Sequence, residues 1–528
     1  MKRINVLFPA YVVFKSRYDQ RIVIMLFRIM SVVLAICTLT CSCSARQPKA
    51  SSAPANHDII VYPHTSAAVK SPLYSVRVNR VPVFVEKYKD INYAHFAFSG
   101  KADITITTDK HITSYTLSPE SYNIPANVEG NKLVLTINRP RKLVIRINAG
   151  ERLFIFADPM ETNPLKFGDS KVVNIMDFDI DNTGKILETE KIQKAIDALE
   201  KDGVLYLPPG IYQTATLHLK SNMTLYLAGG AMLRGAPSYA YYPLDNIGRR
   251  LIMIADCTDV TIKGRGIIDG NGAAVRASGE RAHLVTMKNS EDILVEDVFL
   301  RESGSWNTHI LLCDRVTIRN IKMINDVTLT NTDGFDPDSS NDVLIEHSFI
   351  YAGDDAVAVK TSGRGGLLRD LTKNTFRYNV VLTQKSALKI GTETRAKNMN
   401  NIRFMHNQVL QSDRAMAIYC SDGADISDIS FVGNNFEENY PDNKRRMIHF
   451  QISNRKSAGQ IRDVLIKNCS FKKPYPENST IEGLDREHRI RGVKFENFSI
   501  AGRLCRDAGE ANLEIEDFVE DITFEVTE

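Results

Sequence analysis

The sequence predicts an all-β protein in which an N-terminal β-sandwich precedes a parallel β-helix with a short N-terminal capping helix. Two patterns lead to this prediction: short alternating strands early in the chain, and a strand repeat through most of the remainder. The length of 528 residues agrees with it, because one ordinary compact core does not grow to that size.

Residues 73–160 carry the pattern of a small antiparallel sandwich. Apolar and polar residues alternate over 74–79, 102–107, 132–137 and 142–148, with Asn, Gly and Pro between these segments. No constellation of acids or histidines falls here. We therefore expect a scaffold or a carbohydrate-contacting domain, without chemistry of its own.

One helix stands at the start of the second domain, for which we predict residues 170–528. Ile192, Ala195, Ile196 and Leu199 recur at helical spacing within 189–201, and Gly203 follows the end of the pattern. We expect this helix to cover the apolar end of the first coil.

A strand unit then repeats along the rest of the chain. Alternating apolar segments begin at residues 260, 293, 316, 343, 402, 429, 464 and 493, and their clearest intervals run from 23 to 35 residues. No long helical pattern separates them, and the regular hairpin turns of an antiparallel barrel are missing. A parallel β-helix, in which each coil stacks its Val, Ile and Phe on the next, fits this unit.

The front of the chain has the pattern of an export signal over residues 1–45, with Met25 or Met30 as the alternative true start. Its clean apolar core, 31–39, is too short for a permanent membrane span. Cys41 and Cys43 follow, and either fits the acylated cysteine of a bacterial lipoprotein; a plain cleaved signal is the alternative. Residues 46–72 are predicted as a linker. We expect export to the periplasm or cell surface, with a lipid anchor in the outer membrane.

Composition excludes several classes of protein. The net charge is +3, from 66 basic and 63 acidic residues, and no dense basic run is present, so we expect no nucleic-acid partner. Five cysteines remain after the signal, at 257, 313, 420, 469 and 505, and their spacing fits neither a disulfide framework nor a zinc site. We expect a monomer without cofactor or metal.

Three aspartates are the candidates for catalysis. Asp333 precedes Asp354 by 21 residues, close to one repeat, so the two can stand on one face in neighbouring coils. Asp355 follows directly and would point to the opposite side of a regular strand, but Gly353 makes a bend easy. Crowded carboxyl groups raise the pKa of at least one member, and a retained proton is what glycosidic bond cleavage needs.

The segments around these aspartates, Asn331-Thr-Asp-Gly-Phe-Asp-Pro-Asp-Ser339 and Gly353-Asp-Asp-Ala-Val-Ala-Val-Lys360, resemble the central motifs of glycoside hydrolase family 28, the polygalacturonase family. The resemblance runs from about residue 176 to the C-terminus. It implies a right-handed, pectin-lyase-like β-helix and an inverting, metal-free hydrolase of a polysaccharide, with a pectin-related substrate favoured. By matching position, Asp354 is the general acid, whereas Asp333 and Asp355 activate water.

Two motifs depart from that family. The histidine of the third motif falls at Ser386, and the basic residues of the fourth are replaced by Ala417 and Tyr419. Those cations meet a galacturonate carboxylate in the family, so their loss weakens the case for an acidic sugar. The candidate substrate-binding residues, including cations that could substitute, are Asn331, His309, Lys360, Ser386, Lys389 and Arg414.

The order of sandwich and β-helix also resembles family 49, the dextranase and isopullulanase group, which acts on neutral α-glucans. A dextranase-like hydrolase is therefore one alternative, and a non-catalytic carbohydrate-binding β-helix is another. A β-helix lyase, which would need calcium, is a third. For an inverting enzyme we expect acid and base to be separated by roughly 6.5–9.5 Å.

Overall fold

The computed structural model describes residues 58–162, 164–165, 168–169, 171–440 and 445–527. The predicted signal, Cys41, Cys43 and both alternative start positions lie outside these ranges. Helix is limited here to the α-helices Thr189–Ala198 and Gly272–Ala277 and the 3₁₀ turns Glu120–Tyr122, Ile175–Phe178, Tyr239–Tyr241 and Arg364–Gly366. None of the helices in the described ranges has the length and apolar character needed to cross a membrane.

Two sheets form the N-terminal part of the described chain. The first contains Ile59–Val61, Val69–Lys70, Val85–Tyr88, Ile91–Phe98, Tyr115–Ser118, Arg141–Ile147 and Arg152–Pro159. The second contains Ser75–Val78, Val81–Val83, Ala102–Thr107, Ala126–Glu129 and Lys132–Ile137. Alternate residues of both sheets, such as Phe96 and Ile104, are buried in one shared core.

This part differs from the prediction in two respects. Ile91–Phe98 and Arg152–Pro159 pair in parallel, so the arrangement is not purely antiparallel. Two short strands, Ile59–Val61 and Val69–Lys70, lie inside the range predicted as linker. Strands of two or three residues are too short to show an alternating pattern, and pairing with a neighbour is what orders them.

Three long sheets form the parallel β-helix, and we name them A, B and C in the order in which each coil visits them. Sheet A contains Val172–Asn174, Gly203–Leu207, Met223–Leu227, Thr258–Gly264, Glu291–Glu296, Asp314–Arg319, Asn341–Glu346, Leu371–Arg377, Asn398–Met405, Asp425–Val432, Gln460–Lys467, Ile490–Glu496 and Val519–Glu525. Sheet B contains Thr183–Leu187, Gly210–Thr214, Ala231–Gly235, Ile267–Asp269, Phe299–Arg301, Lys322–Ile324, Phe349–Ala352, Val380–Thr383, Gln408–Ser412, Asn435–Asn439, Ser470–Phe471, Ser499–Ile500 and Arg503–Leu504. Sheet C contains Leu217–Leu219, Arg250–Ala255, His283–Lys288, Thr308–Leu311, Phe335–Asp338, Val357–Thr361, Ser386–Thr394, Arg414–Asp422, Arg446–Ser457, Ser479–Glu482 and Leu513–Ile515.

The repeated segments of the sequence pair with one another as neighbouring strands of sheet A. Val260 pairs with Ile293, Ile293 pairs with Val316, and Val316 pairs with Val343. The buried aliphatic residues of successive coils therefore lie above one another. At the turns between sheets A and B, the buried residues Asn379, Asn407 and Asn434 form a second ladder. The side-chain carbonyl of each later asparagine accepts from the backbone and side-chain N–H groups of the asparagine one coil earlier. Backbone pairing and side-chain stacking therefore hold the coils together at one spacing.

The helix Thr189–Ala198 packs at the start of the β-helix. It buries Ile192, Ala195 and Ile196 in the same core as Leu205 and Leu217. It ends three residues earlier than the predicted Lys201, because Leu199 already has extended backbone at φ −59° and ψ 136°.

A buried network of charges joins the N-terminal sheets to the β-helix. Asp158 accepts from Lys322 at 2.7 Å, from Arg265 at 2.8 Å and from His95 at 2.9 Å, and all four residues are largely or fully buried. Lys142 approaches the other oxygen of Asp158 at 3.8 Å. These charges compensate one another away from water, which makes the carboxylate indispensable to the network.

Candidate active site

Asp333, Asp354 and Asp355 come together at the passage from sheet B to sheet C. Asp333 lies two residues before the strand Phe335–Asp338, and the other two lie between Phe349–Ala352 and Val357–Thr361. The sheet C strands of these two segments are neighbours, so the aspartates occupy successive coils. One oxygen from each of the three carboxyl groups lies within 4.8 Å of the others.

Glycine allows the chain to bend between Asp354 and the preceding strand. A Cβ atom on Gly353 would lie 2.6 Å from Thr332 Oγ1 and 2.8 Å from the Leu329 carbonyl oxygen, so any side chain would displace the neighbouring coil. The two carboxyl oxygens of Asp354 accept the backbone N–H of Asn331 at 3.1 Å and of Asp355 at 2.9 Å. Both adjacent aspartates can therefore serve one site.

Asp355 is held in its ionised form. Burial raises its pKa, but the Lys389 ammonium and the Arg414 guanidinium outweigh burial, and together with the hydrogen bonds they lower it to about 2. Lys389 Nζ lies 2.5 Å from Asp355 Oδ2, and the backbone N–H of Ser386 donates to Oδ1 at 2.9 Å. This carboxylate is thus the basic member of the cluster.

The pKa values of the other two aspartates are raised. Burial and then the charge of Asp355 raise the pKa of Asp354, which is only half-buried and so remains open to a ligand. Burial and then the charge of Asp336 raise the pKa of Asp333 well above its usual range, although Lys360 opposes them. Neighbouring carboxyl groups with pKa values moved apart are the arrangement required for acid and base roles.

Lys360 forms the buried side of the site. Its Nζ lies 2.7 Å from Asp336 Oδ1, 3.8 Å from Asp333 Oδ2 and 4.0 Å from the centre of the Trp306 ring. Burial lowers its pKa, but the two carboxylates outweigh burial and raise it. Asp336 was not among our candidates; its strand, Phe335–Asp338, pairs with Val357–Thr361, the strand that carries this lysine.

Three of the predicted substrate contacts are instead internal. His309 is fully buried and its Nε2 lies 3.1 Å from Asp338 Oδ2, while its ring packs edge-on against Trp306. Ser386 is also fully buried, and Lys360 is only 3% exposed. Contact of these three side chains with substrate therefore stays a prediction, and the structure shows them packed inside the protein around the aspartates.

The remaining predicted contacts lie at the edge of the site. Asn331 is half-buried, and its Oδ1 accepts from Arg281 at 2.5 Å. Arg414 lies 3.2 Å from Asp413 Oδ2 and donates to the Tyr419 hydroxyl at 3.2 Å. Lys389 pairs with Asp355, and Glu393 lies 3.6 Å from Arg455.

Tyr419 and His449 complete this edge and were not among the predicted site residues. The Tyr419 hydroxyl lies 2.7 Å from His449 Nδ1, and the Lys389 ammonium lies 5.4 Å from the centre of the Tyr419 ring. Lys389, Ala417 and His449 are in register on sheet C. Aligning the repeats around the third and fourth motifs would have brought these positions together.

A cation could be held by the clustered carboxyl oxygens within 4.8 Å of one another. However, the ammonium of Lys389 already occupies one side of Asp355, and Lys360 neutralises Asp336. The lysines supply the positive charge that the cluster needs.

A parallel β-helix with three carboxyl groups on two successive coils, one with a lowered pKa and the other two with raised pKa values, is typical of a polysaccharide-active β-helix enzyme. The sequence profile for glycosyl hydrolases family 28 matches residues 210–500, and the chain belongs to that family. A profile described as rhamnogalacturonase A/epimerase, pectate lyase-like, matches residues 172–241.

Individual proteins agree with this assignment. A probable polygalacturonase from Vitis vinifera is 32% identical over 215 residues, which cover 36% of this chain and 44% of the relative. The chain spans about half the length of the curated relatives it matches.

Solved structures agree in fold. The Thermotoga maritima exopolygalacturonase superposes with a TM-score of 0.54 at 23% identity, over 67% of this chain and 92% of that one. Dex49A from Penicillium minioluteum, a family 49 protein, superposes with a TM-score of 0.51 at 13% identity, over 88% and 98% of the two chains.

Proposed function

We propose that this protein is an exported glycoside hydrolase that cleaves a galacturonan-type pectic polysaccharide with inversion at the anomeric carbon. The observation that carries the proposal is the contrast between two adjacent carboxyl groups. The pKa of Asp354 is raised and that of Asp355 is lowered to about 2, so one retains a proton while the other accepts one. Membership of family 28 supports hydrolysis of this substrate class.

In the proposed reaction, Asp354 donates its proton to the glycosidic oxygen as the bond from that oxygen to the anomeric carbon breaks. Asp355 takes a proton from a water molecule, whose oxygen forms the new bond to the same carbon. The proton lost by Asp354 is replaced by the one that Asp355 removed, through exchange with solvent. Lys389 keeps Asp355 ionised between turnovers.

Asp333 receives a narrower role than the family resemblance implies. Its raised pKa disfavours the ionised form that a general base needs. We therefore assign it to orient the water by hydrogen bonding, with Asp355 as the principal base.

The spacing of the three carboxyl groups supports a second candidate mechanism, hydrolysis with retention of the anomeric configuration. Their nearest oxygens lie within 4.8 Å of one another, closer than the separation of roughly 6.5–9.5 Å that we expected for an inverting pair. Retaining enzymes place their carboxyl groups about 5–5.5 Å apart. A retaining reaction, in which a carboxylate attacks carbon directly, is therefore the alternative to the proposal.

The charges around the site leave a second substrate class open. Arg414 lies 3.2 Å from Asp413, Lys389 lies 2.5 Å from Asp355, and Lys360 lies 2.7 Å from Asp336. These three cations thus already have carboxylate partners. Their pairing supports a neutral α-glucan as the second candidate substrate. Arg414 at the half-buried edge is the cation best placed to meet a galacturonate carboxylate.

Product analysis on a substrate panel tests the proposal. The purified protein is incubated with polygalacturonate, rhamnogalacturonan, dextran and pullulan, and the released oligosaccharides are identified by mass spectrometry. We expect release from polygalacturonate or rhamnogalacturonan. Release from dextran or pullulan alone would replace the pectic substrate by a neutral glucan.

Export with a lipid anchor forms part of the same proposal, and its support is the apolar core 31–39 followed by Cys41 and Cys43. In fractionated bacterial cells we expect the full chain in the membrane fraction. Replacement of both cysteines by alanine should move it to the soluble periplasmic fraction. Recovery of the unaltered chain from the cytoplasm would contradict export.

A further inference from the structure

A groove between the N-terminal sheets and the β-helix lies at a different passage of the coil from the aspartates. Its volume is about 790 Å³. The N-terminal part contributes Tyr122 and the segment 139–142, and the β-helix contributes turns between sheets A and B. The aspartates lie between sheets B and C, so this groove is separate from the candidate active site.

A ladder of three ring side chains lines the β-helix side of the groove. His347, Tyr378 and His406 occupy equivalent turns in three successive coils, and each has a positive φ between 52° and 57°. Their ring centres are 5.1 and 5.2 Å apart, and the ring planes differ by 12° and 9°. All three side chains are exposed. The exposed ring edges present nitrogen atoms and a phenol hydroxyl, which bind hydroxyl groups.

The opposite wall carries positive charge that no described carboxylate neutralises. Arg139 is exposed, and neither it nor Arg141 has an ion pair with any residue in the described ranges. The Arg141 guanidinium instead lies 4.0 Å from the centre of the Tyr122 ring, which fixes its plane while leaving its N–H groups free. A stacked guanidinium is preorganised to bind a carboxylate through two hydrogen bonds.

The acids of the groove are already paired. Glu296 accepts from Arg319 at 2.7 Å, and Asp297 accepts from Asn320 at 2.6 Å and lies 3.3 Å from Arg265. The charge left for a ligand is therefore positive, next to a wall of groups that bind hydroxyls.

We infer that this groove binds a carboxylate-bearing segment of polysaccharide, separately from the site that cleaves it. The arginines would pair with uronate carboxylates, and the ring ladder would hydrogen bond sugar hydroxyls along the helix axis. This inference rests on the proposed pectic substrate. It gives the N-terminal sheets a role in holding the polymer.

The test uses the full chain with Asp354→Asn to prevent turnover. Calorimetric titration with polygalacturonate measures binding at all sites, while fluorescence of Trp306 reports on the candidate active site alone, because it is the only tryptophan in the chain. The variants are Arg139→Gln with Arg141→Gln, and the matched control is Arg146→Gln, an exposed arginine on the same strand as Arg141.

We expect Arg139→Gln and Arg141→Gln each to weaken the affinity for the polymer about tenfold, because each removes a charge-assisted hydrogen bond to a carboxylate. The Trp306 response to a short oligogalacturonate should stay unchanged, as should all signals of the Arg146→Gln control. Unchanged calorimetric affinity in the double variant would overturn the inference, and so would a parallel loss of the Trp306 response. If polygalacturonate changes neither the heat signal nor the Trp306 fluorescence of the parent protein, the proposed pectic substrate is wrong. If Trp306 responds to polygalacturonate but the groove variants bind it with the parent's affinity, only the groove inference is wrong.

Discussion

Lys389 and Asp355 form a buried ion pair, with Lys389 Nζ 2.5 Å from Asp355 Oδ2. The lysine stands within the segment that resembles the third family motif, where this chain has Ser386 in place of the histidine, and the aspartate follows Asp354 directly. Lys389 therefore supplies a positive charge next to the proposed base, so that the altered motif still supports an ionised carboxylate there.

Replacing Lys389 by methionine should raise the pKa of Asp355, because the ammonium that stabilises its ionised form is removed. The proposed base acts when deprotonated, so the acidic limb of the kcat/KM profile should move to higher pH. Measuring that profile checks the prediction. Lys389→Arg should restore the position of the limb in part, and Lys373→Met, on an exposed pair with Asp342, serves as control. An unmoved acidic limb in Lys389→Met would exclude this role for the lysine.

The charge network at Asp158 should dominate the stability of the junction between the N-terminal sheets and the β-helix. Asp158→Asn leaves Lys322 and Lys142 buried without their carboxylate and removes one of the two carboxylate partners of Arg265, and we expect a loss of about 3–5 kcal/mol in the free energy of unfolding. Urea titration followed by circular dichroism measures it. The control Asp342→Asn breaks an exposed pair and should change stability by less than about 1 kcal/mol. Equal effects of the two substitutions would refute the account of the network.

Removal of metal ions should leave hydrolysis unchanged. The lysines beside Asp355 and Asp336 already compensate the cluster, so the proposed reaction needs no bound cation. Initial rates after dialysis against a chelator are compared with rates after calcium is restored. A rate that falls on dialysis and recovers with calcium would instead favour a lyase, which unsaturated products would then identify by their absorbance.

The stereochemistry of the product separates the two mechanisms that the geometry supports. Proton NMR recorded from the start of the reaction identifies the first-formed anomer before mutarotation. We expect inversion relative to the cleaved bond, with water attacking in one step. A retained configuration would show that one of the aspartates, despite the proposal, attacks the anomeric carbon.

Much of the β-helix could be predicted because the alternation of apolar and polar residues in each repeat identifies the buried positions. The segments beginning at Val260, Ile293, Val316 and Val343 pair in register as the alternation indicates. The gathering of Asp333, Asp354 and Asp355 was also predictable, since their spacing matches one coil.

The side-chain contacts around the aspartates could not be predicted from the repeat pattern. The partners of Lys360 and Lys389 depend on how far each side chain reaches across coils, and spacing along the chain does not give that distance. His309 was predicted as a substrate contact, but the structure buries it against Trp306 of its own coil and Asp338 of the next one. The groove at Arg141 depends on contact between two distant parts of the chain, which no local pattern indicates.

The most direct test of the account is reducing-sugar release from pectic substrates by the wild-type protein and by Asp354→Asn, with melting curves to show that both are folded. Loss of the proposed acid should lower the rate by about 10²–10⁴-fold while substrate binding is retained. Equal release by both proteins would contradict the role of Asp354, and binding without release by either would make the protein a carbohydrate-binding β-helix instead of an enzyme.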